Sequence, residues 1–264
     1  MTITEALILG VVQGLTEFLP VSSSGHIELG AYFLNVQSPD NLLFSIIVHG
    51  ATALSTVVVF RKDILKLLME LLKFEWNEST QFIFKIVLSM VPVGVIAILF
   101  EDSIEALFTG QVLLVAAMLV VTGTLLLLTW FSGVKEKGVS FGKAFVIGIA
   151  QAVAIFPGIS RSGSTIATAL LLGVNKAEAA RFSFLMVLPP ILGATLLKTI
   201  EYFRAPELSA HVNSTSLMAG FVAAFIAGLL ACQWMINIVK KGKLIYFAIY
   251  CFIVSGLVLI MTLL

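Results

Sequence analysis

Residues 17–26 read EFLPVSSSGH and set one acid, three consecutive serines and one histidine inside an otherwise largely apolar chain. Serine hydroxyls are nucleophiles once a nearby group accepts their proton. His26 lies within four residues of Ser22, Ser23 and Ser24, and its imidazole exchanges protons near neutral pH. The segment therefore has the residue types of a catalytic site.

Glu17 and Gln13 belong to the same candidate site. They are four residues apart, so one helix places them on the same face. Glu17 is a candidate ligand for a hard divalent cation, a candidate acid–base group, or a salt-bridge partner. Gln13 could give its carbonyl oxygen to the metal or orient Glu17.

A second polar segment, PGISRSG at 157–163, contains Arg161 between Ser160 and Ser162, followed by Gly163. A guanidinium at membrane depth is costly and matches the oxygens of phosphate or carboxylate in a two-pronged geometry. The alternative is a structural ion pair with Glu17. Helices that restart at the two serine clusters would present capped N-termini, which bind anions.

The rest of the chain provides the elements that must position these residues. Of the 264 residues, 59% are hydrophobic and 12% are charged, and the mean hydropathy is +1.07. This composition is typical of an all-α integral membrane protein. Six windows are long enough to cross a bilayer. They lie at 42–60, 80–100, 111–131, 182–203, 216–239 and 244–264.

Two further apolar segments, 3–34 and 141–173, are interrupted by Pro, Gly and Ser. Their flanking pieces of about 12 to 15 residues are too short to span, so we expect two re-entrant helix-loop-helix hairpins. The amphipathic stretch 64–74 predicts an interfacial helix at the cytoplasmic surface.

The two hairpins also resemble each other. A shift of 138 positions aligns 10–25 with 148–163, matching Gln13 with Gln151, Ser22 with Ser160 and Ser24 with Ser162. The chain is then one membrane domain, 1–264, built from repeats at approximately 1–133 and 134–264. Because each repeat has three spans, the second copy is inverted. We therefore expect the two polar turns to meet from opposite faces.

Lysine and arginine counts predict the orientation, because short cytoplasmic loops retain basic residues. Basic residues concentrate after the first, third and fifth spans, whereas the intervening connections contain only two basic residues, Lys198 and Arg204. The first hairpin then enters from outside and the second from the cytoplasm. The net charge of +1 excludes a strongly basic nucleic-acid binder.

The segments GLTEFLPVSSSGH and PGISRSGSTIA, together with EAARFSFLMVLPPILGAT at 178–195, closely resemble the signatures of the bacterial undecaprenyl-diphosphate phosphatases of the bacitracin-resistance family. The resemblance covers essentially the whole chain. It implies an enzyme that removes the terminal phosphate from a polyprenyl diphosphate lipid and returns the monophosphate carrier to cell-wall synthesis. It also implies dependence on Mg²⁺ or Ca²⁺, location in the plasma (inner) membrane, and a site open to the periplasm or outer side. Whether the protein forms a homodimer is left open by the resemblance.

The resemblance carries site roles onto particular positions. The first segment matches the family at Glu17, Ser22, Ser23, Ser24 and His26, and the second at Ser160, Arg161 and Ser162. Gln13 departs from many relatives, in which a glutamate begins an E-x-x-x-E pattern. This departure leaves Glu17 as the expected cation ligand, with Gln13 as a weaker candidate.

We expect Arg161 and the half-helix N-termini to bind the diphosphate, Ser23 to be the nucleophile, and His26 to take its proton. Attack by water activated by His26 or Glu17 remains open. Transport of an anion or a lipid phosphate is the alternative function, because inverted repeats with broken helices are typical of carriers. The type-2 phosphatidic acid phosphatases are disfavoured because their K-x₆-R-P segment is absent.

Overall fold

The computed structural model describes residues 1–34, 36, 40–100, 112–133, 137–204 and 213–263. Within these ranges the chain is all-helical, apart from one 3₁₀ turn at Thr129–Phe131 and one isolated bridge between Lys137 and Val174. The α-helices are α1 Ile3–Thr16, α2 Ser23–Phe33, α3 Asp40–Val59, α4 Arg61–Leu71, α5 Glu78–Leu99, α6 Val112–Leu128, α7 Phe141–Val153, α8 Arg161–Leu171, α9 Lys176–Met186, α10 Leu188–Arg204, α11 Ser214–Lys241 and α12 Ile245–Leu263.

Five helical segments of the described residues are long and apolar enough to cross a membrane. They are Glu78–Leu99, Val112–Phe131, Lys176–Leu197, Ser214–Lys241 and Ile245–Thr262. The helices Leu43–Val59 and Arg61–Leu71 are bent by 76° relative to each other, and they give a sixth span when they are counted as one. A multi-pass membrane protein is thus confirmed.

The predicted span 182–203 forms two consecutive helices, α9 and α10, separated at Val187. Pro189 and Pro190 lie in the first turn of α10. Proline has no backbone N–H to continue a preceding helix, but it is tolerated in a first turn. The interfacial helix predicted at 64–74 starts earlier, at Arg61, and ends at Leu71.

The two interrupted segments form pairs of short helices joined by irregular turns. α1 and α2 have 14 and 11 residues, and α7 and α8 have 13 and 11. α1 and α7 are among the shorter apolar helices of the described chain. These lengths agree with the predicted pieces on either side of each polar turn.

The short helices α1 and α7 each pack against a helix from the other half of the chain. α1 of the first half packs along α11 of the second, and α7 of the second half packs along α5 of the first. α6 of the first half also packs against α12 of the second half. The first short helix of each hairpin therefore packs against a long helix from the other half.

Small residues allow α1 to approach α11 closely. A Cβ atom added at Gly14 would lie 2.6 Å from both the Ala224 carbonyl oxygen and the Ala227 Cβ atom. Helices in membranes commonly associate through such small residues, because backbone approach increases van der Waals contact. This contact fixes the helix that carries Gln13 and leads into Glu17.

Gly14→Ala is expected to destabilise the folded protein by roughly 1–3 kcal/mol, because the added methyl group overpacks the α1–α11 contact. The measurement is the midpoint of thermal unfolding in detergent. Gly94→Ala is the matched control, since a Cβ at Gly94 meets no described atom within 4 Å. Equal midpoints for the two variants would contradict the described packing.

Candidate active site

The two polar turns lie against each other inside the helical body. A Cβ added at Gly25 would lie 3.2 Å from the Gly158 Cα atom, and one at Gly163 would lie 3.2 Å from the Pro20 Cβ atom. The Ser162 hydroxyl donates a hydrogen bond to the Leu19 carbonyl oxygen at 3.2 Å. The two polar turns therefore meet, as the sequence predicted, whereas their entry from opposite faces stays a prediction.

Serines cap the helices that restart at the two turns. The hydroxyl of Ser22 accepts from the Gly25 N–H, and that of Ser160 accepts from the Gly163 N–H. The Ser24 and Ser162 hydroxyls lie 3.4 and 3.3 Å from the respective capping oxygens. The N-termini of α2 and α8, which carry partial positive charge, therefore point into one region.

Ser22 has a left-handed backbone conformation, with φ of 69°. Non-glycine residues adopt this conformation rarely, and such strain concentrates at functional sites. The equivalent Ser160 has φ of −74°, and the positive φ in that turn belongs to Gly158. Only in the first turn is the left-handed residue a serine, Ser22, which immediately precedes Ser23.

Glu17 is the centre of the hydrogen-bond network. Its side chain is 5% exposed, and its Oε1 atom pairs with the Arg161 guanidinium. Its Oε2 atom accepts from the Ser23 hydroxyl at 2.6 Å and from the Gln13 side-chain amide at 2.9 Å. The carboxylate thus joins the predicted nucleophile of one turn to the arginine of the other.

Arg161 forms the ion pair that the sequence offered as its alternative role, but the pair uses only part of the guanidinium. The buried Nη1 atom has no hydrogen-bond partner among the described residues. An unpaired buried donor of a charged group is costly. Arg161 therefore has a free donor for a ligand, and it can bind an anion while it remains close to Glu17.

A cleft lies beside this ion pair. Its lining includes Glu17, Phe18, Thr52, Thr56, Arg161, Ser162, Thr165, Ser183 and Phe184. The hydroxyls of Thr165 and Ser183 are hydrogen-bonded to each other, and the Phe18 ring packs edge-on against Phe184. The cleft has a polar wall of hydroxyl groups and an apolar wall of aromatic rings.

The expected pair of Ser23 and His26 is not formed. The His26 Nδ1 atom lies 2.8 Å from the Ser22 carbonyl oxygen, and its Nε2 atom lies 2.8 Å from the Tyr250 hydroxyl. The Ser23 hydroxyl donates to Glu17 instead. Glu17 is therefore the hydrogen-bond acceptor of the Ser23 hydroxyl in the described residues, and a basic role for His26 stays a prediction.

Comparison with known proteins shows the family to which the chain belongs. The family model described as Bacitracin resistance protein BacA matches residues 6–257. The chain belongs to the BacA family. Among its relatives, a protein of Christiangramia forsetii is 54% identical, with 97% of this chain and 96% of the relative covered. One of Bacteroides thetaiotaomicron is 51% identical, with 99% of each chain covered. Both are named undecaprenyl-diphosphatase.

A more distant relative of this BacA family chain comes from Methanobrevibacter smithii. It is 35% identical, with 98% of this chain and 97% of the relative covered, and it carries the same name. The similarity therefore extends over nearly the whole length of each of these three relatives. The family assignment rests on the whole chain as well as on the two polar turns.

Three residues near the BacA family site were not selected from the sequence. The His49 Nε2 atom of α3 lies 3.6 Å from Glu17 Oε2. Thr165 lines the cleft, and the Tyr250 hydroxyl is hydrogen-bonded to His26. The available signal was a polar stripe, Ser45, His49, Thr52 and Thr56, at helical spacing on one face of an apolar span.

The residues fit a divalent cation that is bound together with phosphate. Among the described residues, no group of three or more His, Cys, Asp or Glu side chains could form a metal cage. Gln13 Oε1, however, is buried and has no described hydrogen-bond partner, one helical turn from the Glu17 carboxylate. Mg²⁺ commonly uses one or two carboxylates plus substrate phosphates and water. Gln13 Oε1 and the Glu17 carboxylate are therefore the described groups that could hold such a cation.

Proposed function

We propose that this BacA family chain hydrolyses undecaprenyl diphosphate to undecaprenyl phosphate and orthophosphate, which returns the lipid carrier to peptidoglycan synthesis and confers resistance to bacitracin. Relatives that match over their whole length are named for this activity. The observation that carries the proposal is the unpartnered Arg161 Nη1 atom beside two capped helix N-termini and a serine hydroxyl that donates to a carboxylate.

The terminal phosphoryl group binds between the two turns. Arg161 and the N-termini of α2 and α8 attract its oxygens, and the hydroxyls of Ser22, Ser24, Ser160 and Ser162, with the Gly163 backbone, surround them. Phosphoryl transfer depends mainly on such positioning and on charge stabilisation. The exposed apolar faces of the spans keep the isoprenoid tail in the surrounding membrane lipids.

In the first step, the Ser23 oxygen bonds to the terminal phosphorus and its proton passes to Glu17 Oε2. The phosphorus–oxygen bond of the anhydride breaks, and its electron pair leaves on the undecaprenyl phosphate. In the second step, the oxygen of a water molecule bonds to the phosphorus of the phosphoserine, and the proton of that water passes to His26, which later releases it to solvent. The Ser23–phosphorus bond breaks, and the Ser23 oxygen recovers its proton from Glu17. The network of Glu17 supports this order, because Ser23 already donates to it at 2.6 Å.

A divalent cation, Mg²⁺ or Ca²⁺, supplies positive charge to the phosphate oxygens when it is bound. Gln13 through its free Oε1 atom and Glu17 through its carboxylate would hold it. Both residues are buried on one face of α1 and its C-terminal turn. Burial excludes competing water and strengthens the interaction with charge.

The site faces the outer side of the plasma membrane, and in a two-membrane bacterium it faces the periplasm. This part of the proposal rests on the concentration of Lys and Arg in alternate connections. The connections assigned to the outer side, 35–41, 101–111 and 198–216, lie partly or wholly outside the described residues. The two hairpins enter from opposite faces as re-entrant segments of a six-span body.

The inverted repeat, approximately 1–133 and 134–264, is supported by equivalent helix contacts between the two halves. The contact of α1 with α11 corresponds, after the shift of 138 positions, to that of α7 with α5. The capping serines Ser22 and Ser160 correspond in the same way. Such a repeat is also found in carriers, so transport of a lipid phosphate is the second candidate function.

Orthophosphate release by the purified protein in detergent distinguishes these two functions, because transport needs a sealed membrane. Hydrolysis predicts one orthophosphate and one undecaprenyl phosphate for each diphosphate consumed in micelles. Movement of intact diphosphate across proteoliposomes, with no orthophosphate in either preparation, would contradict hydrolysis.

Chelation of divalent cations is expected to abolish orthophosphate release, and added Mg²⁺ or Ca²⁺ should restore it. Gln13→Glu should lower the Mg²⁺ concentration for half-maximal activity by roughly tenfold, because a carboxylate binds this hard cation more strongly than an amide. The measurement is a Mg²⁺ titration of release. Gln81→Glu at the start of α5 is the control. Full activity in chelator, or an unchanged titration midpoint for Gln13→Glu, would contradict the proposed cation site.

A further inference from the structure

The last helix of the chain contacts the first hairpin at the imidazole of His26. The Tyr250 hydroxyl of α12 lies 2.8 Å from His26 Nε2. The two rings also stack, with centroids 5.6 Å apart and planes at 14°. The hydrogen bond fixes one ring atom and the stacking fixes the ring plane. Tyr250 therefore restricts both the position and the rotation of the imidazole.

The hydrogen bonds also select one tautomer of His26. The other ring nitrogen, Nδ1, lies 2.8 Å from the Ser22 carbonyl oxygen. A carbonyl oxygen only accepts, so Nδ1 must carry the hydrogen. In the neutral imidazole, Nε2 is then the acceptor, and the Tyr250 hydroxyl donates to it. The basic nitrogen of His26 is Nε2, and it faces Tyr250.

A second contact from α12 fixes the start of the same turn. The Cys251 thiol donates a weak hydrogen bond to the Pro20 carbonyl oxygen at 3.8 Å, and Ser255 anchors α12 on the Ala116 carbonyl oxygen of α6 at 2.7 Å. Consecutive residues, Tyr250 and Cys251, thus contact both ends of the segment 20–26. Removal of the phenol hydroxyl alone would leave the ring stacking and the thiol contact in place.

We propose that Tyr250 is a positioning residue for hydrolysis, which keeps His26 in the Nδ1–H tautomer and fixes its basic Nε2 atom in place. This inference rests on the proposed function. The phenol oxygen both donates and accepts hydrogen bonds. It donates to Nε2 of the neutral imidazole and accepts from Nε2 of the protonated imidazole. Both protonation states of His26 are therefore supported by one side chain.

The test is Tyr250→Phe, which retains the stacked ring and removes only the hydroxyl. Loss of one hydrogen bond that orients the base should lower kcat for orthophosphate release roughly tenfold and change KM by less than about twofold. Tyr246→Phe is the matched control, because Tyr246 lies one turn earlier on α12 and is 63% exposed. That variant should retain the parent kcat.

Nitrogen-15 NMR of histidine-labelled protein supplies a measurement that does not depend on turnover. The acceptor resonance of His26 Nε2, assigned with His26→Gln, should shift in Tyr250→Phe toward the value of an imidazole nitrogen without a donor. An unchanged resonance, or an unchanged kcat, would overturn the assignment of Tyr250. A rise in KM at constant kcat would also overturn it, because the hydroxyl would then act in substrate binding. Absence of orthophosphate release from the parent protein would instead contradict the proposed function.

Discussion

Arg161→Ala is expected to lower kcat/KM for orthophosphate release by at least about a thousandfold, the effect typical of an arginine that stabilises a transferring phosphoryl group. Among the described arginine and lysine side chains, only that of Arg161 forms an ion pair with Glu17. Its Nη1 atom is free to bind phosphate. The measurement is steady-state orthophosphate release from undecaprenyl diphosphate in detergent.

Two further variants separate this role from simple structural pairing. Arg161→Lys keeps the charge but loses the planar fork, so it should recover only part of the activity. Arg61→Ala, at the exposed start of α4, should retain the parent rate because it lies outside the site. Near-normal turnover by a folded Arg161→Ala protein would contradict phosphate binding by Arg161 and leave only the ion pair.

Ser23→Ala is expected to reduce orthophosphate release by about a thousandfold or more, because the covalent step loses its nucleophile while substrate binding remains. The Ser23 hydroxyl is half-buried and donates to Glu17 Oε2. Acid quenching of the parent protein during turnover of substrate labelled at the terminal phosphate should trap label on the protein. Ser23→Ala should trap none.

Ser89→Ala is the matched control for this prediction. Ser89 is a buried membrane serine whose hydroxyl bonds the Ile86 carbonyl oxygen of its own helix at 2.6 Å. Its replacement should retain both turnover and trapped label. If Ser23→Ala kept more than about a tenth of the parent rate, water rather than serine would be the nucleophile, with Glu17 or His26 as the base.

Much of the site follows from local sequence spacing. Gln13 and Glu17 are four residues apart on a helix, and they are hydrogen-bonded as expected. Ser22 and Ser160 each precede a helix and cap it through the residue three positions later. The polar interruption of an apolar segment also predicted the approach of Glu17 and Arg161, since such a turn must find polar partners inside the protein.

The partners of His26 could not be found in this way. Ser23 is only three residues away, yet the imidazole turns back to the Ser22 carbonyl oxygen, which is four residues earlier at the start of α2. Its second partner, Tyr250, is 224 residues away in sequence. Contacts between such distant residues depend on how α2 and α12 pack, and periodicity within either helix contains no information about that packing.

His49 shows a similar limit. Its approach to Glu17 depends on the rotation of α3, which is set by packing against α1, α10 and α11. A polar stripe on α3 indicates a buried face but names no partner for it. The interruption between α9 and α10 was partly predictable, because Pro189 and Pro190 stand in the apolar run, whereas its position at Val187 follows from proline being accepted in a first helical turn.

The most direct test is an experimental structure of the protein with orthovanadate, an analogue of the transferring phosphoryl group. The account predicts vanadium between the two turns, with its oxygens within hydrogen-bond distance of Arg161 and of the α2 N-terminus, and with the Ser23 oxygen nearest to the metal centre. Vanadium bound away from residues 22–26 and 160–163, in a protein that still releases orthophosphate, would contradict it.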